Sequence, residues 1–592
     1  MNPSPLPRPE YPRMQFRRSD WLNLNGEWSY ALDLVNSGEE QGWGKSQGFA
    51  GKIQVPFAPE TPLSGVNHTD FITGIFYHRQ VTVPAAWENR RLLLHFGAVF
   101  NEANVWWNGE KVAFHRGGST PFTVDLTGKA QAGKTYDLVV EARSDVRNNV
   151  QSNGKQCMYQ SSCLCSYKRT TGIWQTVDLE AAGLTGLKDC RVVADFDNHA
   201  FVFHPAFFQE SPGATLTVEI REGETLVATG QCAATLTATL VLPLAHPRPW
   251  HPEDPFLYDI RYVVRDKDGN ISDVVDSYAG MRKVHVSGDR LYLNNHPIFL
   301  RMILDQGFYP EGNWTAPTDE DLVKDILFAK ACGFNSARLH QKVFEPRYLY
   351  HADRLGYLVW GEFPCWGQGW CQTFFQRTAD FHHSFSNFME EWGEAVLRDV
   401  NHPSILMWTP LNESDFHLTE DVKARYREGV RRLYNFTKPL DPTRPVHDSS
   451  GWGHVKTDIW SIHAYSATAA ELERWILPNR ETGFPTMRPE HDIGYEGQPY
   501  YIDEFGGFRY IPPQCRENTQ EGWGYHGLEM QTPEELVERI REQVELMNRT
   551  PGIAGWCYTQ LTDVEQEQNG LMTYDRIPKA TPEQFQKAFL AD

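Results

Sequence analysis

From residue 1 to 183 the apolar positions fall in short runs of strand length, broken by turn residues. Arg91–Phe96, Asn104–Trp107 and Tyr136–Ala142 are such runs. Asn108-Gly109 separates Asn104–Trp107 from Glu110–Phe114, and both residues tolerate positive φ, so a two-residue hairpin is predicted there. Many short strands with frequent turns predict an N-terminal jelly-roll β-sandwich. A second β block, 184–283, offers Ala214–Ile220, Ala234–Leu242 and Tyr258–Arg265 as strands. At about 100 residues it has the size of an immunoglobulin-like β-sandwich, although the Cys…Trp…Cys signature of antibody domains is absent.

From 284 to 592 strand and helix patterns alternate. Thr318 suits a helix N-cap, Leu322, Ile326 and Ala329 repeat at helical spacing, and Gly333 suits the stop. A second helix is predicted from Thr532 as cap, Pro533 in the first turn and Glu535 as the capping-box acid, running to Met547. The strand runs between helices are 298–303, 334–338, 357–361, 404–409, 445–448, 459–463, 499–503 and 553–558. Eight strands interleaved with helices predict a C-terminal (β/α)8 TIM barrel. The 592-residue chain is therefore multidomain.

Charge narrows the function classes. The net charge of -20 disfavours a nucleic-acid partner, which needs a basic face. No apolar run reaches the roughly 18 residues of a membrane span, and the Pro-rich start lacks the apolar core of a signal peptide. The expectation is a cytoplasmic protein with no membrane partner. The ten cysteines are scattered, apart from Cys157, Cys163 and Cys165, and no second Cys/His pair stands at ligand spacing. Reduced thiols, no metal and no cofactor are expected. The 19 Trp, 24 Tyr and 33 Phe fit either large β cores or a carbohydrate protein, because sugar rings stack on aromatic faces.

Two carboxylates carry the chemistry. In Ser404–Glu413 and in Pro499–Glu504 an apolar run of strand length ends on an acid and then a loop. A barrel presents catalytic groups at the C-terminal ends of its strands. Two such acids suit retaining glycoside hydrolysis, with one acid/base and one nucleophile.

These contexts resemble glycoside hydrolase family 2, which includes β-galactosidases, β-glucuronidases and β-mannosidases. Leu24–Trp28, Thr171–Val177 and Gly552–Trp556 carry the resemblance along nearly the whole chain. It implies that Glu413 is the general acid/base and Glu504 the nucleophile. It further implies that Asn412 binds the sugar 2-hydroxyl, that Arg338 steadies the nucleophile from the barrel floor, and that Tyr465 donates to it. Trp556 would be the sugar-stacking floor. Asp305 is a candidate hydroxyl acceptor, with a turn-stabilising role as the alternative. His340, Lys342 and His463 complete the candidate substrate-binding set, and Glu362 and Trp366 are candidates for the aglycone side.

Two departures leave the sugar open. The Asp that β-galactosidases and β-glucuronidases of the family carry six residues before the Gly-Ile motif is Ser166 here. Leu339–Lys342 replaces the family's Ser-His-Tyr-Pro, and no Asn-x-Lys signature of acid recognition is found. The reading is an exo-acting retaining β-glycosidase of an oligosaccharide or glycoconjugate, tilted to a neutral β-D-galactoside. The alternatives are a β-glucuronide, galacturonide, mannoside or α-L-arabinoside with the same mechanism. A non-catalytic carbohydrate-binding protein and a metal-dependent hydrolase using His340 and His463 are the other classes. A homo-oligomer is compatible with the sequence.

Overall fold

The computed structural model describes residues 6–371, 381–414, 420–477, 484–488, 493–518 and 522–591. The N-terminal unit is built from a four-stranded and a six-stranded antiparallel sheet. Their inner faces bury one apolar cluster that includes Trp28, Tyr77, Leu94 and Trp107. The strands Glu102–Trp107 and Glu110–Arg116 form the expected hairpin, with Asn108 at φ 49° and Gly109 at φ 82°.

The second unit packs a three-stranded sheet against a four-stranded one around Phe201, Phe203, Ile220 and Tyr262. One expected strand is corrected here. Residues 234–239 turn, and Thr225–Ala233 is the strand, followed by Leu240–Pro243. Thr225–Ala233 lies at the edge of its sheet and buries no residue, so it gave no apolar signal.

The C-terminal unit curls seven parallel strands in the order Ile405–Thr409, Leu358–Glu362, Ser336–Leu339, Leu300–Asp305, Ile553–Thr559, Tyr500–Gly506, Trp460–His463. The segment 445–448 forms one bridge, from Val446 to Trp408, and Ser449–Ser450 then pairs with Leu411–Asn412. It therefore runs along the edge that starts with Ile405–Thr409. Side chains alternate. Met302, Leu304 and Trp360 fill the barrel interior, while Ile303, Ala337, Val359 and Ile502 pack under the helices.

Both expected helices form. Asp319–Ala331 is capped by Thr318, whose capping box uses Asp321. Pro533–Arg549 is capped by Thr532, which accepts from Glu535 N. The Glu535 carboxylate reaches back to Gln531 N, one residue beyond the Thr532 cap that the sequence pattern assigns it.

Buried ion pairs lock the units together. Arg18 binds Glu180 (3.0 Å) and Asp273 (2.8 Å), joining the two sandwiches. The loop between Thr135–Arg143 and Gly172–Ile173 lies against the barrel. Asn153 N and Gly154 N donate to Trp366 O (2.7 and 3.1 Å). A Cβ on Gly154 would lie 2.2 Å from Gln341 O, so only glycine permits this approach.

Candidate active site

Strand Leu411–Asn412 delivers Glu413 with φ 44°, in the left-handed region. That conformation stores about 1–3 kcal/mol in a non-glycine residue. Glu413 N donates to Ser450 O (3.0 Å), which holds the turn.

Glu504 depends on an irregularity. Tyr500 and Ile502 face the helices, so strict alternation would send Glu504 outward too. The register shifts between Ile502 and Phe505, and Glu504 turns inward. A carboxylate oxygen of Glu413, one of Glu504 and a ring nitrogen of His463 lie within 4.8 Å of one another.

Arg338, fully buried, organises the base of the site. Its Nε donates to Glu362 Oε2 (2.6 Å), Nη1 to Glu504 Oε1 (2.8 Å) and Asp503 O (3.0 Å), and Nη2 to Asn412 Oδ1 (2.6 Å) and His340 Nδ1 (3.0 Å). Tyr465 donates to Glu504 Oε2 (2.6 Å). Burial alone would raise the Glu504 carboxyl, but the charges of His463 and Arg338 outweigh it and bring the pKa down to about 2. Glu504 is thus an ionised carboxylate held by donors on both oxygens.

His463 links the two acids. Its Nδ1 is 2.7 Å from Glu413 Oε1 and 3.4 Å from Glu504 Oε2, and its Nε2 is 3.1 Å from Ser450 Oγ. Burial favours the neutral ring, yet Glu504, Asp503 and Glu413 raise the pKa. Oxygens at both nitrogens suit an imidazolium, which donates from each. His340 is the opposite case. Burial, Lys155 and Arg338 push it well below the ordinary histidine range. Its Nδ1 lies 3.0 Å from both Arg338 Nη2 and Glu362 Oε1.

Asn412 offers a further donor. Its Oδ1 is taken by Arg338, while its buried Nδ2 has no partner. A buried amide without an acceptor is costly unless a ligand supplies one.

Three candidates sit elsewhere than expected, and Asp305 takes the turn-stabilising role that was its alternative. Trp556 shares the outward face with Tyr558 and is wedged among Phe299, Phe334, Phe505 and Phe589, with its Nε1 on Asn548 Oδ1 (2.9 Å). It is core and offers no sugar platform. Lys342 is buried, donates to Gly307 O (2.6 Å) and Trp314 O (2.7 Å), and is pushed by burial down to about 7. It ties a loop and is no rim cation. Asp305 points to the helix side with Ile303 and accepts from Gly307 N (2.8 Å), while burial and Asp325 raise it to about 6. Glu362 lies beneath Arg338, fully buried, rather than on the aglycone side.

Other pocket residues escaped the sequence reading. Tyr525 stacks on Tyr465 with ring centres 3.6 Å apart and planes at 6°. Tyr167 donates to Glu567. Lys155 is 4% exposed. They sit in connections with no apolar period, and the one local signal near Lys155 is Gly154. Among the described residues, Glu413, His463 and Glu504 are the one group with three donor atoms at metal-binding reach. Hydrogen bonds already link each of them to a neighbour. The ten cysteines are free thiols. No helix among the described residues is long and apolar enough to cross a membrane.

Three family descriptions match the chain in order. They are the sugar binding domain of glycosyl hydrolases family 2 over residues 22–163, the family 2 domain over 194–282 and its TIM barrel domain over 284–490. A β-glucuronidase of Paenibacillus borealis is 25% identical over 94% of this chain and 95% of its own length. A β-galactosidase of Thermoanaerobacter pseudethanolicus is 26% identical over 91% of this chain and 66% of its own. The crystal structure of Ruminococcus gnavus β-glucuronidase superposes with a TM-score of 0.77 at 19% identity, covering 98% of each chain, a likeness of fold. The chain belongs to glycosyl hydrolases family 2 and is a glycoside hydrolase.

Proposed function

We propose that the protein is an exo-acting β-glycosidase that retains configuration, with Glu504 as nucleophile and Glu413 as acid/base. The observation that carries this reading is the approach of the two carboxylates, whose nearest oxygens lie within 4.8 Å. Retaining enzymes keep their carboxyl groups about 5–5.5 Å apart, and inverting enzymes need about 6.5–9.5 Å to admit a water.

Glu413 protonates the departing oxygen while Glu504 attacks the anomeric carbon, and a glycosyl ester forms on Glu504. Water then enters from the aglycone side and Glu413 takes its proton. Arg338 and Tyr465 keep Glu504 ionised and aimed. His463, hydrogen-bonded to Glu413, positions the acid/base. Asn412 Nδ2 supplies an unspent donor suited to the 2-hydroxyl. Lys155 and Cys165 of the first sandwich lie within electrostatic reach of Glu413, and Tyr167 donates to Glu567 of the barrel, which supports a pocket closed at one end and hence an exo mode.

A neutral sugar, with β-D-galactoside first, is the preferred substrate. A β-glucuronide is the second reading, favoured by the β-glucuronidase relative that matches over 95% of its length. Proton NMR of an aryl glycoside hydrolysate tests the mechanism. The β-anomer should appear first and then mutarotate. Initial release of the α-anomer would exclude retention.

A further inference from the structure

One cation in the pocket has unspent donors. Lys155 is 4% exposed, and its Nζ lies 4.8 Å from the Trp366 ring centre and 6.0 Å from that of Tyr167. Among the described residues, no carboxylate pairs with it within 4.0 Å and no acceptor takes its protons. Unlike Asn412 Nδ2, its Nζ is not sealed off by protein. Arg338, by contrast, has spent its donors on five acceptors.

The two rings fix where the ammonium stands. Trp366 Nε1 donates to Asn412 O (3.2 Å), the carbonyl just before Glu413. The Tyr167 hydroxyl donates to Glu567 Oε2 and receives Gln306 Nε2 (3.0 Å). Lys155 therefore stands by two rings, one bonded to the strand end that carries Glu413 and the other to Glu567. Burial would lower its pKa, but Cys165, Glu567, Glu504 and Glu413 more than reverse that, so it stays charged. Glu567 accepts from Tyr167 and, weakly, from Asn569 (3.3 Å), which leaves lone pairs on both oxygens.

Resting on the glycosidase reading, we propose that Lys155 and Glu567 grip adjacent hydroxyls of the terminal sugar, one as donor and one as acceptor, and thereby select a neutral pyranose over a uronide. A uronate carboxylate drawn to Lys155 would meet Glu567 nearby, with the ionised Glu504 behind it. Like charges in a dry pocket are strongly unfavourable. Two neighbouring hydroxyls satisfy both groups without adding charge.

The test uses the full-length enzyme, the 4-nitrophenyl β-galactoside, its 3-, 4- and 6-deoxy analogues, and the β-glucuronide, with K155M and E567Q. Wild type should prefer the galactoside to the glucuronide. K155M should lose about 30-fold or more in kcat/KM on the galactoside but only a few-fold on one deoxy analogue, the one that lacks the hydroxyl it reads. E567Q should show the same pattern for an adjacent hydroxyl, with both variants folding as wild type by circular dichroism. An equal loss on every sugar would overturn the grip and leave Lys155 as a tuner of the carboxylates. A wild-type preference for glucuronide that K155M abolishes would overturn the choice of a neutral sugar. No turnover of any of these glycosides, or of aryl mannoside and arabinoside, would instead overturn the glycosidase reading beneath it.

Discussion

Arg338→Lys keeps the positive charge at the base of the site and removes the fork that distributes it. Arg338 makes five hydrogen bonds, to Glu362, Glu504, Asp503 O, Asn412 and His340. A lysine has three protons on one nitrogen, so at least two bonds are lost. Bonds to charged partners contribute about 1.5–3 kcal/mol each, which makes the loss roughly 3–6 kcal/mol. Part falls on stability, because Glu362 has no exposure and depends on Nε for one oxygen. Part falls on the transition state, because Glu504 and Asn412 are held by different arms of the same guanidinium. A fall in kcat of about 100-fold, together with a lower thermal midpoint, is expected. Steady-state kinetics on an aryl glycoside and a thermal melt measure the two. A variant within about threefold of wild-type kcat, melting at the wild-type temperature, would refute the view that the fork orders the site.

Glu413→Ala should slow glycosides with poor leaving groups far more than aryl glycosides, and azide should restore turnover as a β-glycosyl azide; equal losses without rescue would reassign the acid/base. His463→Gln removes the largest charge that holds Glu504 down to about 2. The nucleophile works only when ionised, so a rise in its pKa removes activity at progressively higher pH, and an acidic limb should move into the range of about pH 4–5 in kcat/KM. The stability that the depressed carboxylate contributes, complete above its ordinary range and lost as pH falls through about 2 in wild type, should likewise fade at higher pH. An unchanged acidic limb would count against the electrostatic account of Glu504. Prolonged dialysis against a chelator should leave kcat unchanged, since Glu413, His463 and Glu504 are read as acid, link and nucleophile; loss restored by a divalent metal would show that they bind one.

The sandwiches and the barrel were legible because each carries its own period. Glu413 and Glu504 were legible because an apolar strand run stops on each. What alternation says and what the chain does then diverge. The shift between Ile502 and Phe505 aims Glu504 inward, and no residue pattern announces it. The eighth strand breaks the rule as well: Ile553 faces the helices and Ala554 the interior, the register then shifts by one residue, and Trp556 lies outward beside Tyr558. Lys342 follows the second strand, where a rim cation is expected, but its long side chain folds back onto two carbonyls, Gly307 O and Trp314 O. Lys155 was invisible for the opposite reason. It lies in an aperiodic loop of the first sandwich, and only tertiary packing across hundreds of residues sets it beside Trp366 and the barrel acids.

The most direct test of the account is to trap the glycosyl-enzyme. A 2-deoxy-2-fluoro aryl glycoside slows both chemical steps, and a good leaving group lets the first outrun the second, so the intermediate accumulates. Peptide mapping by mass spectrometry should find one added sugar, on Glu504, with inactivation proceeding at the same rate as labelling. A label on Glu413, on Glu567 or on any other acid, or inactivation without a covalent adduct, would contradict the assignment of Glu504 as the nucleophile.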